Sequence, residues 1–310
     1  MSGVLLLLPD FTLIAIGFLL CRYTALDRPL WEGVERLVYY FLFPALLFSS
    51  IARSQFQIGA SGLLAGCALA VAAGGIACAY ALRRTPGVDP LLHASGSQIA
   101  FRFNSYVALA VAERLAGAEG LAWVALLIAL CVPVCNLAAV WPLARHGGRA
   151  VAAEVIRNPL IIATVGGLVA HLAGLVLPDL AAVTLTRIGG AALPLGLMAV
   201  GAGLRLGALR EAPGLAAALL AIRHLVQPAL AIGLVVCLAP LFGPSLTLPP
   251  PQQKVLVAFA ALPTSASSYV LAARMGGHGA FVAGLVTAST LAAMLGLPLA
   301  LAAIERLGGG

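Results

Sequence analysis

The sequence predicts an all-α membrane protein whose ten transmembrane helices form a five-plus-five inverted repeat, and three observations carry that prediction. Of 310 residues, 62% are hydrophobic and only 9% are charged, whereas a soluble domain carries about 25% charged residues to keep its surface solvated. The apolar residues come in continuous runs long enough for the ~20-residue helix that crosses hydrocarbon. They do not alternate, so each segment satisfies its own backbone as a helix rather than as a strand of a closed barrel. The third observation is that the two halves of the chain match each other, as set out below.

Spans are expected near 3–22, 34–52, 59–82, 94–114, 119–142, 158–177, 182–203, 214–242, 254–274 and 280–304. The first run, Val4 to Leu20, lacks the preceding positive charge of a signal peptide and is followed by Arg22, so it reads as a retained span. The eighth is long for one crossing. Arg223 is expected at the interface there, with Gly214 to Ile222 as a connecting segment lying against the protein.

The formal charge of +7 comes from seventeen Arg and one Lys. They punctuate the spans, which points to topological sorting rather than to a nucleic-acid partner. Ten (Arg22, Arg28, Arg83, Arg84, Arg145, Arg149, Arg157, Arg205, Arg210 and Arg274) fall on one side, against five (Arg53, Arg114, Arg187, Lys254 and Arg306) on the other. Both termini are therefore expected outside an inner (plasma) membrane. Residues 1–143 form the first repeat, 144–157 a cytoplasmic connection and 158–310 the second repeat. The six cysteines, Cys21, Cys67, Cys78, Cys131, Cys135 and Cys237, read as packing residues.

The halves correspond at three places. Phe43-Pro44-Ala45-Leu46-Leu47 matches Leu193-Pro194-Leu195-Gly196-Leu197, and Ser105-Tyr106-Val107 with Arg114 and Gly120 matches Ser268-Tyr269-Val270 with Arg274 and Gly279. Pro133 matches Pro298. Five spans is an odd number, so the second half enters the membrane inverted, an arrangement of secondary transporters.

Two segments at corresponding places carry the polar residues. The fourth span holds Ser95-Gly96-Ser97-Gln98 and Arg102-Phe103-Asn104-Ser105-Tyr106. Arg and Asn at mid-depth are costly in hydrocarbon and usually face a cavity. The ninth span holds Pro263-Thr264-Ser265-Ala266-Ser267-Ser268-Tyr269, where Pro263 should break the helix. Paired interrupted helices are the best sequence pointer to a midplane site. Their N-termini and Arg102 favour an anion, and no Asp or Glu lies at mid-depth to hold a cation, since Asp10 and Glu35 are near span ends. Pro44 and Pro194 read first as kinks and second as cavity walls. Gly62-x-x-x-Gly66 permits close helix approach and carries no function.

His171 and His224 are the histidines in or beside spans. A histidine there is usually a packing residue, so proton or sodium coupling stays open. HExxH, GxSxG and P-loop motifs are missing, so no enzyme activity, cofactor or metal site is expected.

On Phe43-Pro44-Ala45-Leu46-Leu47-Phe48, Arg102-x-Asn104, Arg157-Asn158-Pro159-Leu160-Ile161-Ile162, Leu193-Pro194-Leu195 and Leu262-Pro263-Thr264-Ser265-Ala266, the chain resembles the auxin efflux carrier family, whose bacterial members include malonate and malate permeases. The resemblance implies a fold similar to bile-acid sodium symporters and sodium/proton antiporters. Helices 1, 2, 6 and 7 would form a scaffold, commonly a homodimer interface. Helices 3–5 and 8–10 would form a transport domain that shifts like an elevator. Helices 4 and 9 would cross at the substrate, lined by Asn104 with its neighbours and by Pro263 to Ser268. Plant relatives often carry a proline at the helix 4 crossover and a long regulatory insert between the halves; this chain has neither. The expected partner is a small organic anion, a mono- or dicarboxylate. An anion channel on the same helices and a membrane sensor whose polar clusters only join helices are the alternatives.

Overall fold

The computed structural model describes residues 3–52, 58–144, 159–175, 177–204, 211–243, 246–265 and 268–308. Residues 145–158, which include all of the expected 144–157 connection except Ala144, and Ser267 lie outside them. Among the described residues the regular structure is all helical, with no strand. The helices are α1 (Gly3–Tyr23), α2 (Arg28–Leu37), α3 (Phe43–Ala52), α4 (Ile58–Ala81), α5 (Pro90–Gly96), α6 (Ser105–Ala144), α7 (Pro159–Leu172) and α8 (Asp179–Ala202). They continue as α9 (Pro213–Ala221), α10 (Gln227–Phe242), α11 (Pro250–Ala261), α12 (Ser268–Arg274) and α13 (Gly279–Gly308).

Five stretches among the described residues are long and apolar enough to cross a membrane: Ser61–Arg84, Pro90–Leu143, Asp179–Ala202, Pro213–Leu238 and Gly279–Leu307. The second is 54 residues, about 80 Å if it were one straight helix. It folds back instead. Ala116 (φ −147°, ψ 20°) and Gly117 (φ 54°, ψ −138°) leave helical space, and the return leg packs so tightly that a Cβ on Gly120 would overlap the Ala112 carbonyl oxygen. Large apolar side chains cover the outside, with Leu295 and Leu299 on α13 exposed to 74% and 68%. A water-facing surface rarely carries such contiguous patches, whereas lipid is their natural solvent.

Prolines set local geometry. Pro44 cannot donate to residue 40 and its ring crowds that carbonyl. The turn before it, Val38–Leu42, widens to a π-helix that carries α2 into α3 without a break. Pro228 has the same device in Ile222–Val226, which joins α9 to α10. The expectation that Arg223 sits at an interface beside a surface-lying segment is therefore overturned. Arg223 lies inside a continuous helix and is 2% exposed.

The helices pack in two groups. In one, α1 lies along α8, and α3 along α7 and α8. Gly17 meets the backbone of Met198 and Gly201 that of Ile14 so closely that a Cβ at either would collide, the close approach that small residues permit. In the other, α11 and α12 pack on α13, and α11 also on α4, α6 and α10. The groups meet where α3 and α8 touch α6.

Candidate functional site

Between α5 and α6 the helix stops. The chain tightens to a 3₁₀ turn at Ser97–Ala100 and is non-helical from Phe101 to Asn104, with no proline present. Asn104 replaces what a proline would enforce. Its side-chain oxygen accepts from the backbone N–H groups of Tyr106 (3.0 Å) and Val107 (3.3 Å), capping α6, a role for which Asn is among the best residues. Opposite it, α11 ends at Ala261, and residues 262–265 are non-helical before α12 begins at Ser268. The two breaks touch: the Asn104 backbone N–H donates to the Pro263 carbonyl at 2.9 Å. This bond satisfies two groups that the interruptions would otherwise orphan.

Arg102 donates to Gln98 Oε1 (2.8 Å) and to Ser268 Oγ (3.3 Å), linking one break to the other. Beside it lies a cavity of about 180 Å³ lined by Arg28, Glu35, Tyr39, Arg102, Asn104, Ser105, Tyr106, Asn136, Ser265 and Tyr269, with apolar neighbours from α6, α8 and α13. That volume is below the ~300–1,000 Å³ of drug-sized sites, so it suits a small solute. Arg28 is held by Glu35 (3.0 Å), by Glu32 (3.6 Å) and by the Tyr269 hydroxyl (3.2 Å). Asn104 is 3% exposed, and its Nδ2 has no hydrogen-bond partner. Thr264 Oγ1, fully buried next to Pro263, also has none. Buried polar groups are normally satisfied, so an unmet donor and an unmet hydroxyl at one crossing are what a polar ligand would complete.

The crossing is braced from behind. The Arg223 guanidinium donates to the carbonyls of Leu262 (2.7 Å) and Phe259 (3.2 Å) and to Gln227 Oε1. Phe259 lies in the last turn of α11 and Leu262 directly follows it, where the last carbonyls have no intrahelical partner and carry the negative end of the dipole. A buried cation there satisfies both deficits. Ser289 on α13 accepts from the Thr264 backbone N–H and pairs with His224 Nε2, both at 2.9 Å. Phe103 packs edge-on to Phe259 at 4.6 Å between ring centres.

Of the residues the sequence singles out, Arg102, Asn104, Ser105, Tyr106 and Ser265 line the cavity. Pro263, Thr264 and Ser268 sit on the crossing around it. Pro44 is not brought to the cavity and shapes the α2–α3 helix. Pro194 lines a separate cavity of about 500 Å³ with Leu46, Ser49, Ala110, Glu113, Arg114, Leu193 and Leu197. Sequence reasoning missed Arg28, Tyr39, Asn136 and Arg223, and kept Glu35 at a span end. Asn136 in the apolar run from Cys131 to Val140 was the available signal.

A family model described as membrane transport protein matches residues 104–301, well over half of the chain, beginning at the capping Asn104, where the first break ends, and taking in the second break. The chain belongs to that family, the auxin efflux carriers. This carrier-family protein is thus a multi-pass membrane transporter. A search of the curated proteins found no match.

Proposed function

We propose that the protein is a secondary transporter of small organic anions, mono- or dicarboxylates of the malonate or malate class, and that the substrate sits at the crossing of the fourth and ninth spans. The observation that carries this reading is the pairing of Arg102 with the unmet Asn104 Nδ2 donor on one cavity wall. A carboxylate offers the charge and the acceptor lone pairs that this pair recognises. Glu35 is the only carboxylate lining the cavity among the described residues, and Arg28 neutralises it. The balance at the site is therefore positive.

Alternating access follows an elevator-type shift. The group built on α1, α3, α7 and α8 is the scaffold, with the homodimer interface on its outer face. The group built on α4, α6 and α9–α13 carries the substrate. The two packing groups and the cavities along their boundary support this division. Ten spans in two inverted fives account for the matched breaks, the Gly117 reversal and the charge count, with both termini outside the inner membrane. The test is uptake of a carboxylate panel into proteoliposomes, with and without sodium and pH gradients. Asn104→Ala and Ser265→Ala should each lose uptake while the protein stays folded. Full activity in both would refute the site.

A further inference from the structure

Besides the substrate cavity, the structure holds the larger cavity of about 500 Å³, and the two are stacked along the same three helices. On the helix from Arg28 to Ala52, Tyr39 faces the first cavity and Leu46 the second. On α6, Tyr106 faces the first and Ala110 the second; on α8, Val200 faces the first and Leu197 the second. Each helix changes cavity within about two turns. At that level stands one aromatic pair. Phe43, fully buried, stacks on Tyr106 with ring centres 4.7 Å apart and planes 12° from parallel. Gly196 on α8 lies against both: a Cβ there would come 3.0 Å from Phe43 Cε2 and 3.5 Å from Tyr106 Cγ.

We propose that the Phe43–Tyr106 stack, seated on Gly196, is the seal that divides one solute path into two cavities. Phe43 and Gly196 belong to one packing group and Tyr106 to the other, so the seal lies on the surface along which the groups slide. Its chemistry suits the task. Two apolar faces in contact leave no polar group for an anion or its water to follow, and an apolar constriction blocks ions by staying dry. Gly196 lets the rings close this tightly, because a side chain there would make the Phe43 ring give way by a few tenths of an ångström. The tyrosine edge still borders the substrate cavity, so the same side chain is a wall for the solute and half of the barrier behind it. This inference rests on the transporter reading for its meaning, but not for its test.

The experiment is chloride flux through proteoliposomes of the full chain, followed with an entrapped chloride-quenched dye. Wild type and Phe43→Tyr should be tight. Phe43→Ala, which joins the cavities, should raise chloride flux by at least roughly tenfold, because the dry constriction is lost. Asn104→Ala, on the substrate side, should leave chloride flux at the wild-type level while carboxylate uptake falls. If Phe43→Ala does not fold, Phe43→Leu and Tyr106→Leu decide: a leak in either supports the seal. Folded variants of both rings that are as tight as wild type, or a wild type that already leaks chloride, overturn it. Failure of the wild type to take up any carboxylate would count against the transport reading alone, since the leak is scored without it.

Discussion

The backbone N–H of Asn104 donates to the carbonyl of Pro263 at 2.9 Å, tying together the interruptions of two helices that lie 159 residues apart in sequence (263 − 104). The same Asn104 caps α6 with its Oδ1 and leaves its Nδ2 without a partner. One residue thus fixes the break and presents a donor at it, and substitutions can separate those roles.

Asn104→Asp keeps a good helix cap and replaces the donor with a carboxylate oxygen. Thermal stability in detergent should stay near wild type while carboxylate uptake is lost. Asn104→Ala should lose uptake and also about 1 kcal/mol of stability with the cap. Uptake and a melting curve on the same preparations check both outcomes.

Arg223→Leu removes the cation that satisfies the carbonyls of Leu262 and Phe259. Hydrogen bonds to charged groups contribute about 1.5–3 kcal/mol each, and buried carbonyls left unmet cost more than the mean. The melting temperature should fall by several degrees, with partial recovery in Arg223→Lys, whose ammonium reaches fewer acceptors in a fixed geometry. A Leu variant as stable as wild type would remove Arg223 from the support of the crossing.

Glu35→Gln takes away the carboxylate that pairs with Arg28 on the wall of the substrate cavity. The site becomes more positive, and KM for a dicarboxylate should fall roughly three- to tenfold, in line with ~1 kcal/mol for a partly exposed charge pair. An unchanged KM in concentration-dependent uptake would show that the pair lies outside the substrate's field.

Gly201→Val and Gly17→Val each place a side chain where the opposing backbone already lies. Overpacking costs typically 1–3 kcal/mol, and more when the obstacle is main chain. Yield of monodisperse protein should drop sharply for both, whereas Gly62→Val, with open space around it, should be tolerated. Size-exclusion profiles distinguish the three.

Much of the site was legible before the fold. Arg102, Asn104 and Pro263 stand out because charge, amide and missing donor are all costly in a helix surrounded by lipid. The break after Ala100 was harder to read, because it uses an Asn cap rather than a proline, and capping becomes visible only when the backbone has already left the helix. Arg223 was misplaced for a related reason. A positive charge inside an apolar run usually marks an interface, and only the end of another helix, packed beside it, makes a fully buried guanidinium acceptable.

The sequence by itself determined the solvent, the helical class, the family and the residues that interrupt two spans. All of these follow from local chemistry: hydropathy, proline geometry and the cost of polar groups in hydrocarbon. Only the tertiary structure decided which orphaned groups meet. It put Asn104 on Pro263, Arg223 on the end of α11, Glu35 against Arg28 and Phe43 against Tyr106. Pairings between distant segments depend on how helices cross, and a hydrogen bond or ring contact exists only once two separate backbones have been brought within a few ångströms.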